Sequence, residues 1–227
     1  MTIKKFCLTI LSVLLSAILL TSCATKPVYY TEEQIKQYVS RVYGDSWEYD
    51  TSPSEHEYCF TNTEGLSFSV YATNIKPISI DGASASVYQK AVKDNYFEAI
   101  YQQKAEAIEA LAAAYDVSFQ PRFYRGEILL LLDSEDKAED VAECIAELDH
   151  LLDYQCKYRK ARLRFVQTMQ KNITVALYVQ PEDAGENWTY QYENCICEIQ
   201  LSTSSKKRLD KKDCKKRIDR NNKGELA

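Results

Sequence analysis

The sequence predicts an α+β fold in which antiparallel sheet carries helices packed on one side. Three stretches repeat apolar residues at helical intervals, whereas several shorter stretches alternate apolar and polar residues as half-buried strands do. An apolar content of 45% with a charged content of 27% is typical of a folded globular chain. We therefore expect the order α-β-β-α-β-α-β-β-β over a body of residues 31–202.

The first helix is predicted to begin at Thr31, because Thr31 and Gln34 have the spacing of a capping box. Gly44 suits the left-handed position that ends such a helix. The apolar positions between them repeat at helical spacing and should face the core: Ile35, Tyr38, Val39, Val42 and Tyr43.

A β-hairpin is expected next, with its turn at residues 62–65. Tyr58 and Phe60 alternate with polar residues before the turn, and residues 66–72 alternate after it. Beyond a loop through Pro77, apolar residues at helical spacing predict one long central helix over 86–115. At 1.5 Å per residue it would span about 45 Å, so it could join two lobes that divide near 116–125.

The second half contains the apolar run Ile128 to Leu132, which is typical of a strand covered on both faces. A third helix is predicted from residue 134 or 135 to about 154, with its apolar stripe inward. Three more strands are expected within 161–165, 173–179 and 188–201.

Charge is distributed unevenly along the chain. Residues 24–202 contain 29 acidic and 16 basic side chains, whereas residues 203–227 contain 4 acidic and 10 basic ones. The acidic body argues against binding to nucleic acid, which requires a basic face. The lysine-rich segment 203–227 has few apolar residues and is predicted to be a disordered tail.

The N-terminus has the layout of an export signal. Lys4 and Lys5 precede an apolar run from Phe6 to Leu20, which is shorter than the roughly 20 residues of a spanning helix. Leu20-Thr21-Ser22-Cys23 follows directly and resembles the lipobox of bacterial lipoproteins. That resemblance implies a signal peptide at 1–22, a diacylglyceryl anchor on Cys23, and a spacer through residue 30. The alternative is an ordinary signal that ends in an unrelated cysteine.

The lipobox resemblance places the protein at the cell membrane, on the extracytoplasmic face. A helix that ends in Tyr43-Gly44-Asp45 before a hairpin also resembles uncharacterised lipoproteins of Gram-positive bacteria, which adds no function. Besides Cys7 in the signal and Cys23, six cysteines remain. In an oxidising compartment they allow 15 complete pairings, among which the sequence does not choose.

No catalytic residue, cofactor or metal ligand is expected. The six glycines lie too far apart for a phosphate-binding loop, so nucleotide binding of the common kinds is excluded. His56 and His150 are interpreted as structural or solvated, and the acidic stripe at Asp136, Asp140, Glu143 and Glu147 as a solvated helix face. Cys195 and Cys197 should lie on one strand face with Ile199 and Leu201, as core residues and not as a metal pair.

The aromatic residues give the only positive indication of binding. Trp188, Tyr190 and Tyr192 share a face of the last strand region. If that face is exposed it forms a contact surface for a protein or a glycan, and if a bulge resets the strand it is core.

Three functions therefore stay open. The first is a lipid-anchored, non-catalytic module that binds a protein or a cell-wall component. The second is an immunity or inhibitor protein against an exported enzyme or toxin, and the third is an enzyme with an unrecognised site. An enzyme should bring His56 or a cysteine together with carboxylates in a pocket, whereas a binding module should present an aromatic patch or groove.

Overall fold

The structure is a computed structural model that describes residues 28–75, 89–132, 141–156, 167–168, 172–179, 195–203 and 206–222. Over these residues the chain combines helices with mostly antiparallel sheet, so the predicted α+β class is confirmed. The elements in chain order are α1 Glu32–Tyr43, β1 Trp47–Ser54, β2 Glu57–Asn62, β3 Ser67–Ile75, β4 Gln89–Asp94, α2 Tyr96–Gln103, α3 Ala105–Ala114, β5 Ser118–Arg122, a 3-10 turn Phe123–Arg125, β6 Glu127–Leu132, α4 Val141–Leu152, β7 Gln167–Thr168, β8 Thr174–Val179, β9 Cys195–Gln200 and α5 Lys211–Asn222.

The described strands form two sheets. The first has the order β1-β2-β3-β4-β7, in which only the β4/β7 pair is parallel. The second has the order β5-β6-β8-β9, in which only the β6/β8 pair is parallel. Buried residues of both sheets and of all five described helices belong to one hydrophobic cluster, so the two sheets share a core.

Helix α1 forms as its sequence predicts. The Thr31 hydroxyl accepts a hydrogen bond from the Gln34 N–H at 3.4 Å, and the Gln34 side chain accepts one from the Thr31 N–H at 3.1 Å. Gly44 has a φ of 97° at the end of the helix. All five predicted core positions of α1 are buried.

The predicted hairpin is present as β2 and β3, with Phe60 opposite Phe68 in the register. Strand β1 was not predicted, because most of its side chains are solvent-exposed and it contains Pro53. It lies at the edge of the sheet, where a proline is tolerated and backbone pairing with β2 holds the strand.

The prediction of one long helix over 86–115 is wrong. Residues Gln89–Asp94 form strand β4, which pairs with β3, and helix begins only at Tyr96. A break at Lys104, with φ of −103° and ψ of 8°, then separates α2 from α3. Pairing with β3 outweighs the helical spacing of the apolar residues here, because the propensities of this segment for strand and for helix differ little.

The region predicted to divide two lobes, 116–125, instead contains an integral strand. Residues Ser118–Arg122 pair with β6 in the second sheet. Strand β6 itself is buried on both faces, as predicted: Leu130 belongs to the main core, and Leu129 lies in a smaller cluster on the opposite face.

The later elements match their predictions in part. Helix α4 and strands β8 and β9 lie within the segments that the sequence assigned to them. The expected beginning of the third helix and the strand at 161–165 lie outside the described residues.

The prediction of a disordered tail at 203–227 is wrong for residues 206–222. Residues Lys211–Asn222 form helix α5, which packs against α4 and β9. The segment contributes Leu209, Cys214 and Ile218 to the main core, the last two with no exposed surface. Cys214 and Ile218 lie four positions apart on one face of the helix, so this strongly basic segment still contributes an apolar face to the core.

The carboxylate of Asp149 fixes this segment to α4. Asp149 is only 1% exposed. Its two carboxylate oxygens accept hydrogen bonds from the backbone N–H groups of Ser202 at 2.6 Å and Leu209 at 2.9 Å. The Arg208 guanidinium lies 3.6 Å from the same carboxylate. Arg208 also bonds the Ser202 carbonyl, the Tyr154 carbonyl and the Asp153 carboxylate. A buried charge is thus fully partnered, and each partner comes from or adjoins the C-terminal segment.

Candidate functional site

A cleft opens where the end of α1, the start of β1, the β2–β3 turn, α2 and the end of α4 meet. Its volume is about 250 Å³. The cleft is slightly smaller than the sites that bind drug-sized ligands, which have volumes of roughly 300–1,000 Å³. Its size therefore suits one unit of a larger ligand. The lining residues are Tyr43, Ser46, Trp47, Asn62, Glu64, Leu66, Tyr96, Ile100, Gln103, Lys104, Leu152, Asp153 and Gln155.

The floor of the cleft is aromatic. The Tyr43 and Tyr96 rings lie 4.2 Å apart, and Trp47 meets Tyr96 edge-on with centroids 5.4 Å apart. Phe68 supports all three rings from the core, at 5.3 Å from Tyr43, 4.8 Å from Trp47 and 5.0 Å from Tyr96. Trp47 is half-buried, whereas the two tyrosines are almost entirely buried. The floor is therefore a packed aromatic platform with Trp47 as its most accessible member.

Asp94 holds this platform from beneath. Its carboxylate accepts hydrogen bonds from the Tyr38 hydroxyl at 2.8 Å and the Tyr43 hydroxyl at 2.9 Å, and from the Tyr96 N–H at 3.3 Å. Burial raises the pKa of Tyr38 and Tyr43 well above their usual 10.0, and the negative charge of Asp94 adds to the increase. Both hydroxyls therefore stay protonated as donors, and the Tyr43 ring has a fixed orientation.

The rim of the cleft is polar. The Asn62 side-chain oxygen accepts the N–H groups of Glu64 at 3.0 Å and Leu66 at 2.9 Å, which sets the turn that carries Glu64. On the opposite side the Gln155 amide donates to Asp153 at 3.2 Å. Asp153 has a φ of 43° just after α4, a left-handed conformation that ends the helix. The rim thus offers carboxylates, amides and the Lys104 ammonium group.

An aromatic floor with a polar rim has a defined chemical preference. The face of an aromatic ring is electron-rich and attracts C–H groups and cations, whereas carboxylates and amides bond hydroxyl and amide groups. A sugar ring carries C–H groups and hydroxyl groups together. The arrangement is therefore suited to a saccharide unit.

The sequence proposed four residues for anchoring and contact. Cys23, Trp188, Tyr190 and Tyr192 lie outside the described residues, so the predictions about them remain predictions.

The prediction that Cys195 and Cys197 share a face is wrong. The register changes between Leu177, which pairs with Cys197, and Tyr178, which pairs with Cys195, so Ile196 forms a bulge. Cys197 faces the main core with Ile199 and Leu201, as predicted, whereas Cys195 packs on the smaller cluster of the opposite face. Burial raises the pKa of the Cys197 thiol to about 12.

The two histidines occupy separate places. His56 lies in the β1–β2 turn with a φ of 70°, stacks on Tyr29 at 3.6 Å, and lies 3.4 Å from a Glu55 oxygen. His150 is exposed in the last turn of α4. Among the described residues that line the cleft there is neither a histidine nor a cysteine.

The acidic stripe is partly paired and not only solvated. Glu143 bonds Lys211 of α5 at 2.7 Å, and Glu147 accepts the Tyr115 hydroxyl at 2.8 Å. Asp136 and Asp140 lie outside the described residues. Within the described part of the chain, no group of three or more His, Cys, Asp and Glu side chains is placed to hold a metal ion.

The aromatic cleft was missed because it is assembled from distant parts of the sequence. Tyr96 was assigned to a helix stripe, and Trp47 was assigned to no element. The one local signal for the cleft is a pair of aromatic residues, Tyr43 and Trp47, at the point where α1 ends and β1 begins.

In comparisons with known proteins, no family model matches this chain, and no curated protein or solved structure matches it either. Among the described residues, no helix has the length and apolar character needed to cross a bilayer.

Proposed function

We propose that the protein is a bacterial lipoprotein, anchored through Cys23 on the extracytoplasmic face of the membrane, whose body binds a saccharide unit of the cell wall. Binding takes place in the cleft floored by Tyr43, Trp47 and Tyr96. The observation that carries this proposal is the combination of that packed aromatic floor with a rim of carboxylates and amides.

The cleft is organised before any ligand arrives. Phe68 and Asp94 fix the aromatic rings from below, and the Asn62 turn fixes one side of the rim. A ligand therefore orders few protein groups on binding, which lowers the entropic cost of association. Such preorganisation supports recognition of a weakly binding polymer unit.

The anchor is supported by the sequence Leu20-Thr21-Ser22-Cys23 and by its distance from the folded body. Val28, where the described structure begins, is five residues after Cys23. At 3.3–3.6 Å per residue this spacer reaches at most about 18 Å. An acyl chain on Cys23 would hold the body against the inner side of the wall.

The test is co-sedimentation of the purified protein with insoluble cell-wall glycan. Trp47→Ala should lower the bound fraction strongly, because it removes the accessible part of the floor. Tyr124→Ala is the matched control, since Tyr124 is an aromatic residue that is 74% exposed and lies away from the cleft.

Because Trp47 also packs on Phe68, a second variant keeps the test decisive. Gln103→Ala removes an exposed rim amide without touching the core, and it should weaken binding while the melting temperature stays unchanged. Equal sedimentation of the wild type, Trp47→Ala and Gln103→Ala would refute binding at the cleft.

A further inference from the structure

Helix α5 has two faces of opposite character. Cys214 and Ile218 are fully buried against the core. On the solvent side, Lys211, Lys212, Lys215 and Lys216 are exposed, and together with Asp219 they line an open groove of about 600 Å³. We refer to these four lysines as the lysine face.

The lysine face is held in a fixed orientation. Asp149 binds the backbone N–H of Leu209, just before α5, and Asp210 accepts the Asp213 N–H at 2.7 Å in the first turn. Further along, the Arg217 guanidinium donates to the Gln200 carbonyl at 3.2 Å. The helix therefore presents its lysines as a rigid surface and not as a flexible arm.

The charge of this surface is opposite to that of the rest of the body. Residues 203–227 have 10 basic and 4 acidic side chains, against 16 basic and 29 acidic ones in residues 24–202. An anionic surface repels the body and attracts α5. The protein should then meet such a surface in one orientation, with α5 toward it.

We propose that the lysine face docks on the anionic phospholipid surface of the membrane. The aliphatic stems of adjacent lysines form the groove, so they can lie against the interfacial region while their ammonium groups bond lipid phosphates. Each lysine near an anionic leaflet contributes attraction that falls off within a Debye length of about 8 Å. This inference rests on the proposed anchor at Cys23, which keeps Val28 within about 18 Å of the bilayer, so that the lysine face can approach to the distance over which the attraction acts.

Neighbouring acidic groups limit the attraction. Asp219 lines the groove, Asp213 is exposed on the same helix, and Glu143 of α4 pairs with Lys211. Lys211 is therefore partly neutralised by Glu143, so the positions to change are taken from the other lysines of the face, Lys212 and Lys216.

The test uses the full chain with Cys23→Ser, so that no acyl chain is present, in sedimentation with phosphatidylglycerol and phosphatidylcholine vesicles. Neutral phosphatidylcholine vesicles report binding through any other part of the chain. Lys212→Gln with Lys216→Gln should weaken binding to the anionic vesicles about tenfold or more at low salt. The matched control is Arg41→Gln with Lys93→Gln, which removes the same charge from exposed positions on α1 and β4.

Preferential binding to anionic vesicles that is lost with the lysine pair, suppressed by salt and kept in the control supports the proposal. Equal binding to both vesicle types, or equal loss in both double variants, overturns it. Stronger binding to soluble polyphosphate than to vesicles at the same phosphate concentration also overturns it, in favour of a polymer. No saccharide is present, so failure here leaves binding at the cleft untouched.

Discussion

Two carboxylates, Asp149 and Asp94, organise the parts of this protein that its sequence did not reveal. Each accepts two backbone or hydroxyl donors within 2.9 Å. Asp149 joins the C-terminal segment to α4, and Asp94 joins α1 to the start of α2. The donors of these four bonds lie more than 50 positions from the carboxylates in the sequence, so no local pattern marks either residue.

Replacing Asp149 with Asn should destabilise the protein substantially. The amide keeps the shape but turns one acceptor into a donor that faces a backbone N–H, and Arg208 loses its buried partner. We expect a loss of about 2–4 kcal/mol in the free energy of unfolding. Urea denaturation measures it, with Glu106→Gln on the exposed side of α3 as control. An unchanged midpoint for Asp149→Asn would contradict this role.

Three buried thiols should make stability depend on pH in the alkaline range. Burial raises the pKa of Cys144, Cys197 and Cys214 from 9.0 to about 12. Above pH 9 these thiols ionise in the unfolded chain and stay protonated in the folded one, so their stabilising effect is lost progressively up to pH 12. Each thiol should lower the free energy of unfolding by at most about 1.4 kcal/mol per pH unit in this window, and by about half of that at pH 9, where half of the unfolded thiols are ionised.

Urea denaturation between pH 9 and pH 10 measures this effect together with that of the buried tyrosines, whose pKa is also raised above 10.0 by burial, so a cysteine variant is needed to separate the two. Cys214→Ala should make the pH dependence shallower by the contribution of one thiol. A free energy of unfolding that stays constant over this interval would show that the three thiols are not buried as described.

Elements with local signals could be predicted from the sequence, and elements defined by distant partners could not. Helix α1 has its own cap and apolar stripe, and β6 is a continuous apolar run. By contrast, β4 is a strand only because β3 lies beside it, and β1 only because β2 does. Helix α5 was not predicted, because the lysine-rich composition of residues 203–227 indicates disorder. The helical spacing of Cys214 and Ile218, which are both buried, is the signal that indicates a helix.

Helix α5 gives a direct test at this scale. Ile218→Ala should lower the free energy of unfolding by about 2–5 kcal/mol, because the side chain is fully buried in the core. Lys216→Ala on the opposite side of the same helix should change it by no more than about 0.5 kcal/mol. Thermal denaturation of both variants decides between an integral helix, which predicts this contrast, and a dispensable tail, which predicts no effect from either.

For the whole molecule, the cleft forms only when the two halves of the chain share one core. Its floor comes from residues 43–96, whereas Leu152, Asp153 and Gln155 come from the end of α4. The Tyr96–Tyr154 ring contact, with centroids 5.6 Å apart, joins these parts. The sequence points to Trp188, Tyr190 and Tyr192, where three aromatic residues alternate, and this stays a prediction because they lie outside the described residues. It does not point to the cleft, whose aromatic floor comes from separate elements.

The proposed lipid anchor at Cys23 can be tested in cells. Cells supplied with a fatty-acid analogue should label the wild-type protein, and Cys23→Ala should lose the label and leave the membrane fraction. Two acyl chains hold a protein stably at a bilayer where one is marginal, which is why a single substitution should release it. Equal labelling of both forms would contradict a lipid anchor at Cys23.

The fluorescence of Trp47 is the most direct measure of binding at the cleft. The chain has only two tryptophans, so Trp188→Phe leaves Trp47 as the single reporter. Titration with soluble cell-wall glycan fragments should shift or quench its emission in a saturable manner, and Gln103→Ala should weaken the apparent affinity. If the Trp47 signal stays constant while the same fragments bind the protein by calorimetry, the ligand lies elsewhere and the cleft is not the binding site.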